Sequence, residues 1–539
     1  EVYLMKIKSK KIMPVLVVGA ISSLIFSCTP KQENNGSDIK AEITFFTNIY
    51  DGKTDSADKS SESYMMNSII AEFNKVYPNI KVKFEKSGQY ATINETITKL
   101  LPTPNKLPNM AVCYPDYVVN YLSSGQVLKL DDYMNDSGIG FGTKPGATVD
   151  EVVRDNDTLK DDFNNNFLEE GQHYEKAGTY SLPWYKNSEA LFYNFDLLER
   201  ELGAGNYNLT NWEDIIKAAR ALKEKTFKTN WSTKKGDKYV IEEHDVVWEK
   251  GQVTPIGYDS LDNMYITFSE MMNVPYGGNV DENKNGHIDK YEAVKFYDGK
   301  ANQPNEKAFK MIKMLKSWYD EGLFTTSEML DTKGDGSYGV WNRYTYNQEC
   351  FIYVNGSKNA WYGSYNTFKG KVLPTPTIDD GMLSGKLNNK TAKSKAMSQG
   401  ANIVFFNKSE EENKAAWLFY KFLTNKENSA TVAKKMSSMP VRTSSYSTAT
   451  LQEAMSKKDA FVTEPSQSKN YDYLQANVYD IYKQYDANKQ TFVAPVSQFS
   501  SKTRKAIEAM MKDVLNSDKT GAELDTQIKT LMADAYTAI

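Results

Sequence analysis

Residues 69–84 read IIAEFNKVYPNIKVKF, and inside this stretch the apolar period changes from that of a helix to that of a strand. Ser63 to Tyr77 places Met66, Ile69, Ile70 and Phe73 on one helical face, whereas Lys81-Val82-Lys83-Phe84 alternates as a half-buried strand does. Working outward, Ile43 to Phe46 is a β-rich run, Ile93 to Leu101 is again helical, and Met110 to Cys113 is a further strand. Strands alternating with helices predict an α/β fold with a parallel, doubly wound sheet. The pattern resumes beyond a polar, Asp- and Asn-rich stretch (Asp150 to Asn166) that reads as a surface insertion. Trp212 to Lys223 is an amphipathic helix with Asn211 as its cap. Helices are also predicted over Asn305–Glu321, Lys408–Thr424 and Ser501–Leu515.

The chain's 539 residues are enough for two or three domains with sizeable cores. A net charge of -4 gives no electrostatic footprint for nucleic acid. Aromatics reach 12%, with 35 Tyr, a supply that suits either cores or carbohydrate-binding clefts. At the N-terminus, Lys6, Lys8, Lys10 and Lys11 precede an apolar run from Met13 to Phe26, then Ser27 and Cys28. A basic start, a short apolar segment and a small residue before a cut are the parts of a secretory signal. The run is short of the ~20 residues that a spanning helix needs. Ile25-Phe26-Ser27-Cys28 resembles a bacterial lipobox, which implies a signal over 1–28, lipidation at Cys28 and membrane attachment by lipid alone. The four residues before Met5 read as an upstream extension, and residues 29–40 as a flexible tether. Cys113 and Cys350 read as two buried thiols, with a pairing left open.

Asp281 to Glu292, DENKNGHIDKYE, fits the twelve-residue calcium-loop pattern at every specified position. Asp281, Asn283 and Asn285 supply side-chain oxygens, Gly286 the sharp turn and His287 its backbone carbonyl. Asp289 acts directly or through water, and Glu292 with both oxygens. A solvated Asn/Asp turn is the plainer alternative. The expectation is one structural calcium, without the paired loop of a sensor.

Several segments together resemble the extracellular solute-binding proteins of bacterial ABC importers, the sugar and oligosaccharide type above all. They are IIAEFNKVYPNIKVKF, LPNMAVCYPDYVVNYLSSGQVLKLDDY (Leu107 to Tyr133), YSLPWYKNSEALFYNFDLL (Tyr180 to Leu198), NWEDIIKAARAL, YVNGS (Tyr353 to Ser357), GANIVFF (Gly400 to Phe406), AAWLFYKFLTN (Ala415 to Asn425) and MPVRTS (Met439 to Ser444). The resemblance implies a two-lobed periplasmic-binding-protein fold, type II-like, with three interlobe crossovers and a ligand cleft between the lobes. Crossovers would fall near Thr179–Pro183, Lys395–Ala401 and Ser437–Arg442. Lobe 1 would hold residues 41–178 and 400–439; lobe 2 would hold 183–395 and 443–539, with the calcium loop inside it.

The same resemblance points to ligand-binding residues. Trp184 and Tyr185 offer flat faces for sugar C–H surfaces, with hinge packing as the alternative for Trp184. Asp116 would accept hydroxyls or cap its helix; Asn48 and Tyr50 close the first strand. Tyr258 and Asp259 sit in a lobe-2 loop, and Asn355 and Trp361 follow a strand, Trp361 equally readable as an interior anchor. Gly400 and Asn402 lie where the second crossover re-enters lobe 1, and Arg442 follows the third; Ser497 and Gln498 are further candidates. The implied function is non-enzymatic: a monomeric, lipid-anchored, extracytoplasmic carbohydrate receptor that closes and delivers its sugar to the permease subunits of an ABC transporter. The only histidines are His173, His244 and His287, and no G-x-S-x-G, H-E-x-x-H or P-loop occurs. A glycoside hydrolase using paired carboxylates stays open, as does a surface glycan-binding lipoprotein outside transport.

Overall fold

In a computed structural model, the residues described are 38–48, 61–143, 155–235, 238–330, 343–344, 348–356, 368–384, 394–462 and 467–539. Cys28, Tyr50 and Trp361 lie outside them, as do the signal and most of the tether. Two five-stranded sheets organise the chain. In chain order their strands are β1 (Ala41–Thr47), β2 (Ile80–Lys86), β3 (Met110–Cys113), β4 (Ser181–Asn187), β5 (Glu189–Asn194), β6 (Ile256–Tyr258), β7 (Phe324–Thr326), β8 (Ile352–Gly356), β9 (Gly370–Leu373) and β10 (Gln399–Phe405).

The first sheet has the order β2-β1-β3-β10-β4. β1 runs parallel to β2 and β3, paired from Ala41↔Ile80 and Phe45↔Met110. β10 is antiparallel to both β3 and β4. The sheet is therefore mixed where the alternation predicted a parallel one. β4 and β10 are joined to their neighbours through the other lobe instead of through a covering helix, so nothing forces them parallel. Helix Glu62–Val76 covers this sheet: Ser61 caps it, accepting from Tyr64 N–H at 3.0 Å, and it buries Met65, Met66, Ile69 and Phe73. Phe73 meets Phe419 of helix Glu410–Leu423 edge to face, with ring centroids 5.2 Å apart.

The second sheet has the order β7-β6-β8-β5-β9, parallel from β7 through β8 and antiparallel at β5 and β9. Helix Trp212–Lys223 packs on it with the predicted cap: Asn211 Oδ1 accepts from Asp214 N–H at 2.9 Å. Trp212 is fully buried against Phe268, at 4.8 Å between centroids.

The chain passes between the sheets at Ser188 and at Met397–Gln399, and its third pass, beyond Arg442, ends by Thr491-Phe492. These passes touch: Ser188 Oγ donates to Met397 O at 3.0 Å, and Ala396-Met397 pair in parallel with Thr491-Phe492. The first crossing falls later than Thr179–Pro183, because β4 belongs wholly to the first sheet. The third pass begins only beyond Ser437–Arg442. Met439 bridges Lys186 and Arg442 bridges Phe163, both in lobe 1. Beyond Arg442, helix Ala449–Met455 packs on helix Lys426–Met436 of lobe 1, and helix Gln467–Asn488 spans both lobes: Tyr479 Oη donates to Ala433 O at 3.0 Å, while the helix packs along β9 of the second sheet and Tyr485 Oη donates to Glu189 O at 2.9 Å. The segment from Phe492 onward joins the core on the other face of that sheet, the face that Leu191, Tyr193 and Ile352 line. Cys113 and Cys350 are buried free thiols. Among the described residues no helix is long and apolar enough to cross a membrane.

Candidate functional site

Between the lobes lies a cavity of about 440 Å³. Its lobe-1 wall starts where β3 ends. Pro115, at the first position of helix Pro115–Leu122, pre-sets the turn, and Asp116 stands in that first turn, where the helix N-terminus favours a carboxylate. Tyr114 and Tyr117 flank it. Below them Lys186 of β4 forms a buried ion pair with Glu170, whose other oxygen accepts from Ser398. Gly400 completes this floor, and its φ of +102° is a conformation that side-chain-bearing residues rarely adopt.

The lobe-2 wall repeats the arrangement. β6 ends at Tyr258, Asp259 follows, and helix Leu261–Met271 begins, capped by Ser260. Tyr276, Pro495 and helix Ser500–Leu515 close the remaining side. From that helix Arg504 donates to Asn263 Oδ1 at 2.5 Å and pairs with Asp262 at 2.9 Å. Burial raises the carboxyl of Asp116, opposed by Arg504. Burial, with Glu328 and Asp262 nearby, brings Asp259 to about 6. Behind this wall Glu189 accepts from Tyr258 Oη at 2.9 Å and Thr267 Oγ1 at 2.6 Å, and burial takes it to about 7.

Of the residues expected from sequence, the cavity gathers Asp116, Asp259 and Gly400. The others lie elsewhere. Trp184 is 1% exposed, packed on Phe45 and Tyr185 with centroids 5.3 and 5.2 Å away, and its ring is core, not a sugar platform. Tyr185 is buried beside it, hydrogen-bonded to Tyr90 Oη at 2.9 Å and to Asn48 Oδ1 at 3.3 Å. Tyr258 faces the core of lobe 2. Asn355 is fully buried, its Oδ1 accepting from Gly356 N–H. Asn402 is equally buried and donates to Ser181 Oγ at 3.1 Å. Arg442 clamps the 155–163 segment to lobe 1. It donates to Thr424 O and, at 2.6 Å, to Leu159 O, and its guanidinium lies 4.1 Å from the Phe163 ring. Ser497 and Gln498 border the wall without lining it; Gln498 Nε2 reaches Ile288 O at 3.5 Å.

Sequence reading missed Tyr114, Tyr276, Lys186, Asp262 and Arg504. Only Lys186 carried a signal, as a lone charge within an otherwise apolar strand.

The Asp281–Glu292 loop adjoins the cavity through Tyr276 and Gly277, which packs against Pro495. Asp281 accepts from the N–H groups of Asn285 at 3.1 Å and Gly286 at 2.8 Å. Glu292 accepts from those of Asn283 at 3.0 Å and Asp289 at 2.8 Å. Gly286 has φ +89°, and Ile288 is 2% exposed. Among the described residues no three His, Cys, Asp or Glu side chains are gathered into a metal-holding group. In the loop Asp281 and Glu292 turn onto the backbone instead, and Asp289 accepts from the side-chain amides of Asn283 at 2.8 Å and Asn285 at 3.0 Å. Its midpoint also touches lobe 1: Glu175 Oε1 accepts from Ile288 N–H at 2.9 Å.

Comparison with known proteins gives the fold a family. UgpB from Mycobacterium tuberculosis, solved with glycerophosphocholine, superposes with a TM-score of 0.58 at 15% identity, covering 92% of this chain and 99% of its own. The sugar-binding protein MalE from Xanthomonas citri gives 0.58 at 12%, covering 92% and 98%. The ABC substrate-binding protein Lmo0181 from Listeria monocytogenes, solved with cycloalternan, gives 0.57 at 13%, covering 92% and 98%. No curated protein matches the sequence. The family profile for bacterial extracellular solute-binding proteins matches residues 68–460. This chain, with its two sheets, three crossings and interlobe cavity, belongs to the bacterial extracellular solute-binding protein family.

Proposed function

We propose that this protein is the carbohydrate receptor of a bacterial ABC importer: it takes a sugar or oligosaccharide between its lobes, closes on it and presents it to the permease subunits. The observation that carries the reading is the cavity itself. It sits where β3 and β6 end, the edge at which open α/β sheets bind ligands, and both lobes furnish a carboxylate and tyrosines there. The sugar-binding and cycloalternan-bound neighbours support a carbohydrate. Closure is a motion of two bodies about the three touching passes. Lipid at Cys28 and the tether would hold a monomeric receptor near its transporter and raise its local concentration there.

A calcium ion in the Asp281–Glu292 loop belongs to the same proposal. Asp281, Asn283, Asn285, Asp289 and Glu292 would hold it with the His287 carbonyl. The positive φ at Gly286 and the buried Ile288 suit such a loop. When bound, the ion would supply charge neutralisation that fixes the loop; the chain's own N–H groups otherwise occupy Asp281 and Glu292.

The test is a thermal-shift screen of the full chain against mono- and oligosaccharides, with calcium and with chelator, followed by chromatography of each hit after long incubation. A receptor gives saturable stabilisation and unchanged saccharide. Shortened products would replace this reading with that of a hydrolase, and the absence of any saccharide shift would remove carbohydrate as the ligand.

A further inference from the structure

The cavity carries more negative charge than its own cations neutralise. Lys186 is committed to Glu170, and Arg504 to Asp262 and Asn263. Lys505 is exposed and sits one turn from Glu508 on its own helix. Asp116, on the lobe-1 wall, accepts from backbone N–H groups at its helix start and has Arg504 nearby but forms no ion pair, and Asp259, on the lobe-2 wall, has neither an ion pair nor a donor to its carboxylate among the described residues. Asp259 is further crowded by like charge. Glu328, which accepts Leu261 N–H at 3.1 Å, and Asp262 both face it, and Glu189 lies behind.

A neutral sugar can donate hydroxyl hydrogens to these carboxylates, but closure around it removes water from two anions without supplying a countercharge. Burying an unpaired ionised carboxylate is costly, so the cleft closes best on a ligand that brings positive charge. Tyr114, Tyr117 and Tyr276 line the same space, and their ring faces attract a cation.

Building on the carbohydrate reading, we propose that the ligand carries a protonated amino group, as a glucosamine-type saccharide does, and that its ammonium is held between Asp116 and Asp259. The raised carboxyls of both residues agree with two anions awaiting such a partner.

The experiment is calorimetric titration of the full chain near pH 7 with three probes: a β-linked glucosamine disaccharide, its N-acetylated counterpart and a linear triamine. The amino disaccharide is expected to bind at least about tenfold tighter than the N-acetylated one. Asp259→Asn, near-isosteric and checked for an unchanged melting curve, should abolish that preference, with Asp116→Asn as the independent second variant. Equal affinity for the two disaccharides overturns the inference and leaves the carbohydrate reading standing. Binding of the triamine with neither disaccharide bound upholds the amino group and overturns the carbohydrate. Failure of both amines to bind overturns the inference.

Discussion

Replacing Gly400 by Ala should destabilise the first lobe where it meets the cleft, and the cost has two separable parts. The φ of +102° lies in the region that costs an L-residue about 1–2 kcal/mol. A Cβ placed there would also meet Tyr185 O at 2.8 Å, Asn187 N at 3.1 Å and Lys186 Cα at 3.1 Å. All three are backbone atoms of the paired strand β4, so no side chain can swing away. Overpacking of this kind adds about 1–3 kcal/mol, giving about 2–5 kcal/mol in all. Gly205 separates the parts, because its φ is +76° and a Cβ there would meet nothing within 4 Å. Gly205→Ala should therefore lose only the dihedral contribution. By scanning fluorimetry, Gly400→Ala should melt about 2 °C or more below Gly205→Ala, at roughly 2–4 °C per kcal/mol for a domain of this size. Equal melting temperatures would refute the close approach of β10 to β4. The same variant displaces Lys186, so ligand affinity should fall with stability; a destabilised protein with unchanged affinity would separate the floor from the site.

Trp184→Ala should cost about 3–5 kcal/mol of stability as a core truncation, measured by urea unfolding; a stable variant that has lost only ligand affinity would return the ring to the site. Glu189 is raised from 4.5 to about 7 in the folded state, so the folded protein holds a proton that the unfolded chain releases. Stability present below about pH 4.5 should then fall by roughly 3 kcal/mol as pH rises through about 7, and Glu189→Gln should remove that part of the slope; Asp486, raised to about 7 by burial, leaves its own share in the variant. An unchanged slope in the variant would exclude Glu189 as its source. Calcium at about a hundred times its Kd should stabilise the protein by about 2.7 kcal/mol, and Asp281→Asn with Glu292→Gln should erase that shift. A melting curve indifferent to calcium and chelator would remove the ion from the loop.

The local elements were legible because their periods are local. Helix Trp212–Lys223 and its Asn211 cap follow from spacing alone, as does the change of period at Ile69–Phe84. The crossings were harder to place. β4 is buried along nearly its whole length, so its residues show no alternation that could separate strand from linker. The run through Met439 and Arg442 had the composition of a hinge, but its partners, Lys186 and Phe163, are some 250 residues or more away in the chain.

The candidate site divides along a physical line. Asp116 and Asp259 were found from sequence, and each stands just past a strand's carboxyl end, in the turn that opens a helix. At that position the side chain faces the sheet edge whichever way the strand's own residues alternate. Trp184, Asn355 and Asn402 lie within strands covered on both faces, where shifting the inward assignment by one residue turns a ligand contact into a core contact. Aromatic character cannot settle that choice, since a Trp in the core and a Trp under a sugar are the same letter. Arg504 is the converse: a helical residue whose spacing reads as solvent-facing, yet which docking of the C-terminal helices turns toward Asp262 and the cleft. Charge at the cavity is thus set by tertiary placement, and the excess of carboxylates over free cations follows from the lobes' meeting, not from the overall charge of -4.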